Sequence, residues 1–366
     1  MRPDLLVVGG GPAGLATAIA AAQKGFRVAV VESRKPPINK PCGEGLLPEA
    51  VDSLCRLGIP LHASLGYPFE GFRFIDESHS ASAPISRGRA LGLRRIILHQ
   101  MLAARAEQCG VDLRWGGRIS DLDSSGAWVD GEFVGYRWLI GADGQYSLVR
   151  RFAHLDSRWT IERRFAFRRH YAVAPWTNLV EVHWARRSQI VVAPTAADEI
   201  CISFFVDDPR LRITQLLGRF PQVAARLRGA VPTSSEAGSM IKFRRARGVV
   251  RGPVALVGDA SCTVDAVSGQ GVSLAFQQAH LVAEALGAGD LGRYQSAHDQ
   301  LTRTAIRVTR LLLVMNSSAW LRSKVLRLFS ARPSLFAKMI AVHTQTSPGP
   351  LDACEIANLT WRVLWA

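Results

Sequence analysis

The sequence predicts an α/β chain: a three-layer, doubly wound domain built from discontinuous segments, with an inserted antiparallel β-sheet domain and a helical C-terminal region. Three observations carry this. A buried apolar run, Leu5-Leu6-Val7-Val8, stops at the glycine turn Gly9-x-Gly11-x-x-Gly14, and helical spacing follows. From Phe165 to Val206, aromatic and β-branched residues alternate with polar ones, as in half-buried antiparallel strands. Val254-Ala255-Leu256-Val257 then restores the continuous apolar style of a parallel strand and ends at Gly258-Asp259.

Taken in order, Leu15, Ala18, Ile19 and Ala22 recur at helical spacing after Pro12, and Gly25 stops the helix. Arg27 to Val31 is a second buried strand closed by Glu32. The strand–helix–strand unit takes the right-handed crossover of a doubly wound sheet. Lys35 to Leu47 is a loop rich in Pro and Gly, Pro48 to Leu57 a helix stopped by Gly58, and Phe69 to Ile75 a strand. Leu93 to Cys109 is an amphipathic helix leading to the strand Val111 to Trp115. Trp128 to Ile140 forms a hairpin turning at Gly131 and running into Gly141-Ala142-Asp143-Gly144. The division is then 1–66, 88–158 and 246–290 for the doubly wound domain, 67–87 and 159–245 for the inserted sheet domain that holds the substrate, and 291–366 for a basic helical region.

With 366 residues, 48% hydrophobic and 20% charged, the chain buries a large core and is not disordered. Its net charge of +15, mostly arginine, favours anionic partners: phosphate-bearing cofactors, acidic lipid surfaces or nucleic acid. Nothing beyond charge supports nucleic acid, so none is expected. Six scattered cysteines without a CxxC pair or zinc-like spacing point to a reduced, cytoplasmic protein with no metal site. The uncharged stretch Leu5 to Gln23 is broken by Gly9, Gly10, Gly11 and Pro12, and Asp4 spoils a signal peptide's basic opening. A membrane span is therefore not expected. After Leu291, arginines interleave with Leu311-Leu312-Leu313-Val314, Trp320 and Leu321. Such helices either contact an anionic membrane peripherally or cap a substrate tunnel with their arginines solvated.

The glycine turn, with Pro12 and Ala13 inside it, has the context of a dinucleotide fingerprint. Gly9 permits the turn, Gly11 admits a phosphate to the backbone, and Gly14 lets helix and strand pack closely. Glu32 lies 18 residues beyond Gly14, about where an acid binds ribose hydroxyls, and Ser33 and Arg34 follow it. Further on come Arg94-Arg95, opening a helix, then Gly141-Ala142-Asp143-Gly144, then Gly258-Asp259 with Gly269-Gln270-Gly271. With these in sequence, the chain resembles the flavoprotein monooxygenase superfamily over about residues 4–290. That superfamily shares its architecture with geranylgeranyl reductases and flavin-dependent halogenases. The resemblance implies a Rossmann-like FAD-binding domain. It implies that Asp259, beside Gly258, binds the ribityl chain, that Arg95 contacts FAD, and that Asp143 and Gly144 lie near the cofactor and the nicotinamide approach. NAD(P)H is the implied electron donor, directly or through a separate flavin reductase. The segment Lys40-Pro41-Cys42-Gly43-Glu44-Gly45 resembles the cysteine–glycine loop of geranylgeranyl-reductase-like flavoproteins, which passes beside the isoalloxazine. Cys42 either tunes the flavin or packs as a small side chain, and Glu44 is either an acid–base group or a hydrogen-bonding one.

The chain departs from the hydroxylase pattern after Gly258-Asp259, where Ala266 stands near the family's proline. The neighbouring Asp265 is a catalytic or substrate-orienting group, or a turn former. In Glu181-Val182-His183, alternation aims Glu181 and His183 the same way. His183 is a candidate proton carrier above the flavin, unless this is a solvated sheet face. The paired tryptophans of halogenases are missing. The leading expectation is a monooxygenase that hydroxylates a lipophilic phenolic or polyketide-derived small molecule through a hydroperoxyflavin. A reductase or dehydrogenase of a prenyl or lipid substrate is the alternative, followed by a halogenase and a flavin-binding protein without turnover.

Overall fold

The computed structural model describes residues 2–156 and 160–346; residues 347–366 of the expected helical region, with the 157–159 junction, lie outside the described residues. At the centre, Leu5–Val8 pairs in parallel with Val28–Glu32 on one side and Trp138–Gly141 on the other. The six-stranded sheet runs in the order Val250–Arg251, Val254–Leu256, Trp138–Gly141, Leu5–Val8, Val28–Glu32 and Asp112–Trp115. Continuous apolar runs suit it because both faces are covered. The helix Pro12–Ala22 packs against the helices Gly271–Gly287 and Arg95–Gln108. A small antiparallel sheet, Ile119–Leu122, Gly126–Val129 and Glu132–Gly135, joins the same core through Leu122, Ala127, Val129 and Val134. Its hairpin turns at Asp130 (φ 48°) and Gly131 (φ 88°), which matches the twist of the strands it joins.

Where the sequence suggested one strand from Phe69 to Ile75, the structure has two. Tyr67–Phe69 pairs with Ala90–Gly92 in a three-stranded sheet with Gly45–Leu46, whereas Gly71–Ile75 enters the large sheet. Gly71 makes the changeover sterically possible, since a Cβ there would stand 2.3 Å from the Ala83 carbonyl oxygen.

The large sheet has nine strands. From one edge they run Cys262–Thr263, Ala237–Arg245, Thr160–Ala172, Glu199–Val206, Ser188–Ala196, Leu179–Ala185, Gly71–Ile75 and Ser80–Pro84, with Val231–Pro232 added beside Thr160–Ala172. The pairing is antiparallel except between Leu179–Ala185 and Gly71–Ile75. Period-two alternation gives two unlike faces. On one, Phe167, Tyr171, Ile190, Val192, Ile202 and Phe204 meet Ile213, Leu216 and Phe220 of short covering helices. The other carries Val182, Trp184, Cys201 and Phe205, packed under the C-terminal helices Gly292–Ser317, Ala319–Ala331 and Pro333–His343. Phe74 meets Trp184 edge-on at 5.1 Å, and Phe329 stacks on Phe336 at 4.7 Å.

One buried acid lies outside this apolar packing. Burial pushes Glu49, in the first turn of the helix Pro48–Arg56, up to about 8, and neither carboxyl oxygen has a hydrogen-bond partner. The folded chain therefore holds a proton that the unfolded chain releases near its ordinary value of about 4.3, and stability falls as pH rises through this window. Glu49→Gln is expected to raise the melting temperature more at about pH 8.5 than at about pH 5. Thermal melts giving the same shift at both pH values would refute this.

Candidate active site

The glycine turn works by contact between backbones. Gly9, at φ 110°, lies so close to the Trp138–Gly141 strand end that a Cβ would stand 2.4 Å from the Ala142 carbonyl oxygen. A Cβ on Gly14 would stand 1.8 Å from the Gly9 carbonyl oxygen, so only glycine lets this helix sit on its strand. Gly11 meets nothing on its open side, and Pro12 opens the helix with Ala13 next to it. Glu32 braces the turn: its Oε2 accepts the Gly10 N–H at 2.8 Å, while Oε1 accepts the Arg34 N–H at 2.9 Å and the Ser33 hydroxyl at 3.3 Å. His99 Nε2 lies 3.0 Å from the Gly10 carbonyl oxygen.

Asp259 begins a second wall. Burial works to raise its pKa, but Lys40, whose Nζ is 2.7 Å away, and Arg95 more than offset this and hold the carboxyl below its ordinary value. Gln278 Oε1 accepts the Gly258 N–H at 2.6 Å. The backbone at Gly43, Gly269 and Gly271 is open to approach in the same way as Gly11. Asp143 Oδ2 accepts the Leu148 and Val149 N–H groups at 2.6 and 3.2 Å, and burial raises its pKa. Gly144 follows at φ 79°. Arg150, fully buried, staples this segment to the second wall by donating to Asp156 at 2.8 Å, the Ala260 carbonyl at 3.0 Å and the Gln145 carbonyl at 2.9 Å. Asp143 Oδ1 and Arg95 Nε are buried without a partner. Cationic side chains, orphaned polar atoms and open glycine backbone together fit an anionic dinucleotide.

Where the cofactor loop meets the large sheet, Glu44 sits at φ 61° and is buried. Its carbonyl accepts the Leu93 N–H at 2.8 Å, and Oε1 accepts the Arg95 N–H at 3.3 Å. Oε2 makes a short contact with His170 Nε2. Arg168 Nη1 stands 3.0 Å from His170 Nδ1, and its Nε 3.8 Å from Glu44 Oε1. A guanidinium only donates, so Nδ1 accepts and Nε2 carries the proton offered to Glu44. Ser234 Oγ lies 2.9 Å from the same Nδ1. Cys42, half-buried, accepts the Glu44 N–H at its sulfur, 3.4 Å away, and its carbonyl lies 3.8 Å from Cys201 Sγ. Burial pushes the Cys201 thiol up. Glu44, His170 and Cys201 place ligand atoms within 4.8 Å of one another, but Arg168 already supplies the positive charge there. Sequence reasoning passed over Arg168 and His170. Their signal was the period of two, which turns both to one side of a strand.

Asp265 is buried in both of its roles. Oδ1 accepts the Val267 N–H at 3.0 Å and starts the turn Ala266–Ser268, while Oδ2 takes Arg164 Nη1 at 3.0 Å. Arg164 also donates to Gln189 at 2.6 Å, so the loop after Asp259 is anchored to the sheet. His183 is not brought to this group. It stands opposite Ile190, on the face away from Cys201, with Nε2 3.1 Å from Glu181 Oε2. It lines a separate cavity of about 300 Å³ with Arg73, His79 and Arg226, so its expected place above the cofactor is corrected by the register.

Residues 2–193 match the family model of the FAD binding domain. The chain belongs to the FAD-binding-domain family. It is an FAD-dependent oxidoreductase. Menaquinone reductase of Mycolicibacterium smegmatis is 27% identical over 325 residues, covering 81% of this chain and 79% of that one. The 6-methylpretetramide 4-monooxygenase of Streptomyces rimosus is 26% identical over 381 residues, 90% of each chain. A flavoprotein/dehydrogenase from Cytophaga hutchinsonii shares the fold with a TM-score of 0.81 at 20% identity, over 93% of this chain and 92% of that one. Among the described residues no helix is long and apolar enough to cross a membrane.

The Lys40–Asp259 pair joins the Cys42 loop to the wall that begins at Asp259. Asp259→Ala is expected to copurify with less than a tenth of the wild-type FAD, since it leaves Lys40 unpaired at the site. Absorbance at the flavin band against protein checks this, and an undiminished ratio would remove Asp259 from the site.

Proposed function

We propose that this FAD-dependent oxidoreductase hydroxylates a lipophilic phenolic or polyketide-derived small molecule, with NAD(P)H as electron donor. FAD, when bound, supplies the two-electron chemistry and, once reduced, the activation of oxygen. The chain's own contribution rests on one observation: a buried carboxylate on the cofactor loop, Glu44, is hydrogen-bonded to a neutral imidazole, His170, from the substrate sheet.

A phenol becomes a better electron donor when its proton is withdrawn, and that needs a positioned base. Glu44 is held for this by the Arg95 N–H and by Arg168, so it need not move to accept a proton. His170 offers its Nε2–H to Glu44 and is itself held at Nδ1 by Arg168 and the half-buried Ser234 hydroxyl, so the imidazole fixes the direction of the carboxylate. Gly43 and Gly45, on either side of Glu44, keep the loop low enough for a flat ring to approach. The same sheet face carries Val191, Ala193 and Phe205, an apolar surface suited to a lipophilic ligand. The monooxygenase relative, matched over 90% of both chains, supports oxygen transfer.

The menaquinone reductase relatives favour a second reading, reduction of a prenyl or lipid substrate. Glu44 would then give a proton to the substrate where the hydroxylase takes one. Turnover of phenolic polyketides and prenylated quinones with NADPH, with and without oxygen, separates the two by product mass. Gain of one oxygen atom, only in air, is the expected result. Gain of two hydrogen atoms under anaerobic conditions would replace hydroxylation by reduction. In either assay His170→Ala is expected to keep its FAD yet turn over about a hundredfold more slowly, because Glu44 loses the N–H that orients it. Unchanged turnover would dismiss the pair from the chemistry.

A further inference from the structure

The C-terminal helices bury one side in the core shared with the large sheet. Along Gly292–Ser317 the inward positions are Thr302, Ala305, Thr309, Leu312 and Met315. The outward positions are Arg303, Arg307 and Arg310, spaced by four and three residues and therefore on one stripe. Val314, 47% exposed, lies one turn beyond Arg310 on the same helix, and Trp320, 57% exposed, opens the next helix past the break at Ser318. Lys324 Nζ lies 4.9 Å from the centre of the Trp320 ring, and Arg327 is exposed one turn further on.

Two properties of this stripe call for a partner. The first is uncompensated charge. Residues 291–346 contain nine Lys and Arg and a single acid, Asp299, which is paired with Arg245 at 2.7 Å. Among the described residues, Arg293 of the nine pairs with Asp290 and Arg322 with Asp76, whereas the arginines of the stripe do not. Arg303, Arg307, Arg310 and Arg327 make no ion pair among the described residues, so like charges lie side by side on one helix face. Solvated helix faces normally interleave acids to relieve this repulsion. The second is the apolar end of the stripe. An exposed indole next to cationic side chains is poorly suited to bulk water but well suited to the boundary between headgroups and acyl chains.

We infer that this stripe docks the protein on an anionic lipid bilayer, arginines toward the headgroups and Trp320 with Val314 entering the interface. The helices lie along the surface; among the described residues none is long and apolar enough to cross it. Contact is electrostatic first, because each cation near an anionic leaflet adds to the attraction, and salt weakens it. The same helices cover the sheet face that holds Cys201 and Phe205, and Gln270 of the FAD cradle donates to the His343 carbonyl at 2.6 Å. A membrane on the stripe therefore brings a lipophilic molecule to the helices that roof the site. The docking itself does not depend on which reaction the site performs.

The test uses the full FAD-loaded chain and vesicles of pure phosphatidylcholine or of phosphatidylcholine with phosphatidylglycerol, in co-sedimentation at about 50 and about 500 mM salt. Expected are partition onto the phosphatidylglycerol vesicles alone, loss at high salt, and a fall of about a hundredfold in the Arg303→Glu, Arg307→Glu, Arg310→Glu triple variant. Trp320→Ser should weaken partition by a smaller factor. FAD content and melting temperature show that each variant is folded, and an unfolded triple variant is replaced by Arg→Gln at the same positions. Partition that ignores lipid charge, or survives in the triple variant, overturns the inference. So does an oligonucleotide that binds as tightly as the anionic vesicles and is lost in the same variant, which would give the stripe to nucleic acid.

Discussion

Everything at the cofactor site depends on how closely three stretches of backbone approach one another. Gly9, Ala142 and Gly14 meet with no side chain between them, at distances where a single methyl group would overlap a carbonyl oxygen. Gly258 adds a fourth stretch, where a Cβ would stand 2.7 Å from that of Ala13. The cradle is thus assembled from parts of the chain far apart in sequence, and its tolerance is that of backbone packing, in which interiors leave little free space. Arg150 then ties two of those parts by bonds to carbonyl oxygens, giving a buried cation partners on several sides. Such a group stabilises only when fully satisfied.

The second organising contact is polar and crosses between the two bodies. Glu44 belongs to the cofactor loop, while His170 and Arg168 belong to the sheet, and none of the three is exposed. Arg94, at the start of the helix bearing Arg95, adds an ion pair to Glu199 of the sheet at 2.9 Å. Asp265 and Arg164 do the same for the loop after Asp259. The sheet is therefore registered against the cofactor platform by charged hydrogen bonds, which fix direction, where apolar packing alone would allow sliding.

Much of this was legible in the sequence. The glycine turn and Glu32 follow rules of local geometry, which can be read from spacing, whereas Arg95 and Asp259 were reached through the resemblance to flavoproteins. The strand runs around Leu5, Val28 and Val254 were plain because parallel strands buried on both faces are continuously apolar. Less legible was anything set by register between strands. Glu181 and His183 share a direction, as alternation requires, but only the pairing of His183 with Ile190, and of Ile190 with Phe204, decides which direction it is. The role of Glu44 was left open for the same reason. Its partner lies 126 residues away, and no local pattern connects them. Lys40 and Asp259 are separated by 219 residues, so each motif was visible and their contact was not.

The one parallel pairing in the large sheet bears on how this chain must be made. Gly71–Ile75 pairs at once with Ser80–Pro84, but its other edge finds a neighbour only when Leu179–Ala185 has emerged, with Arg73 and Glu181 separated by 108 residues. The central parallel sheet is likewise incomplete until Val254–Leu256 arrives beside Trp138–Gly141. During synthesis the early strands therefore wait with open edges while most of the chain is still on the ribosome. Pairings this distant in sequence make for slow folding and prolong exposure of strand edges. A chain cut before Val254 would lack the last parallel strand, the segment of Asp259 and the helix that covers Pro12–Ala22, so the core of the glycine-turn domain closes only late in synthesis.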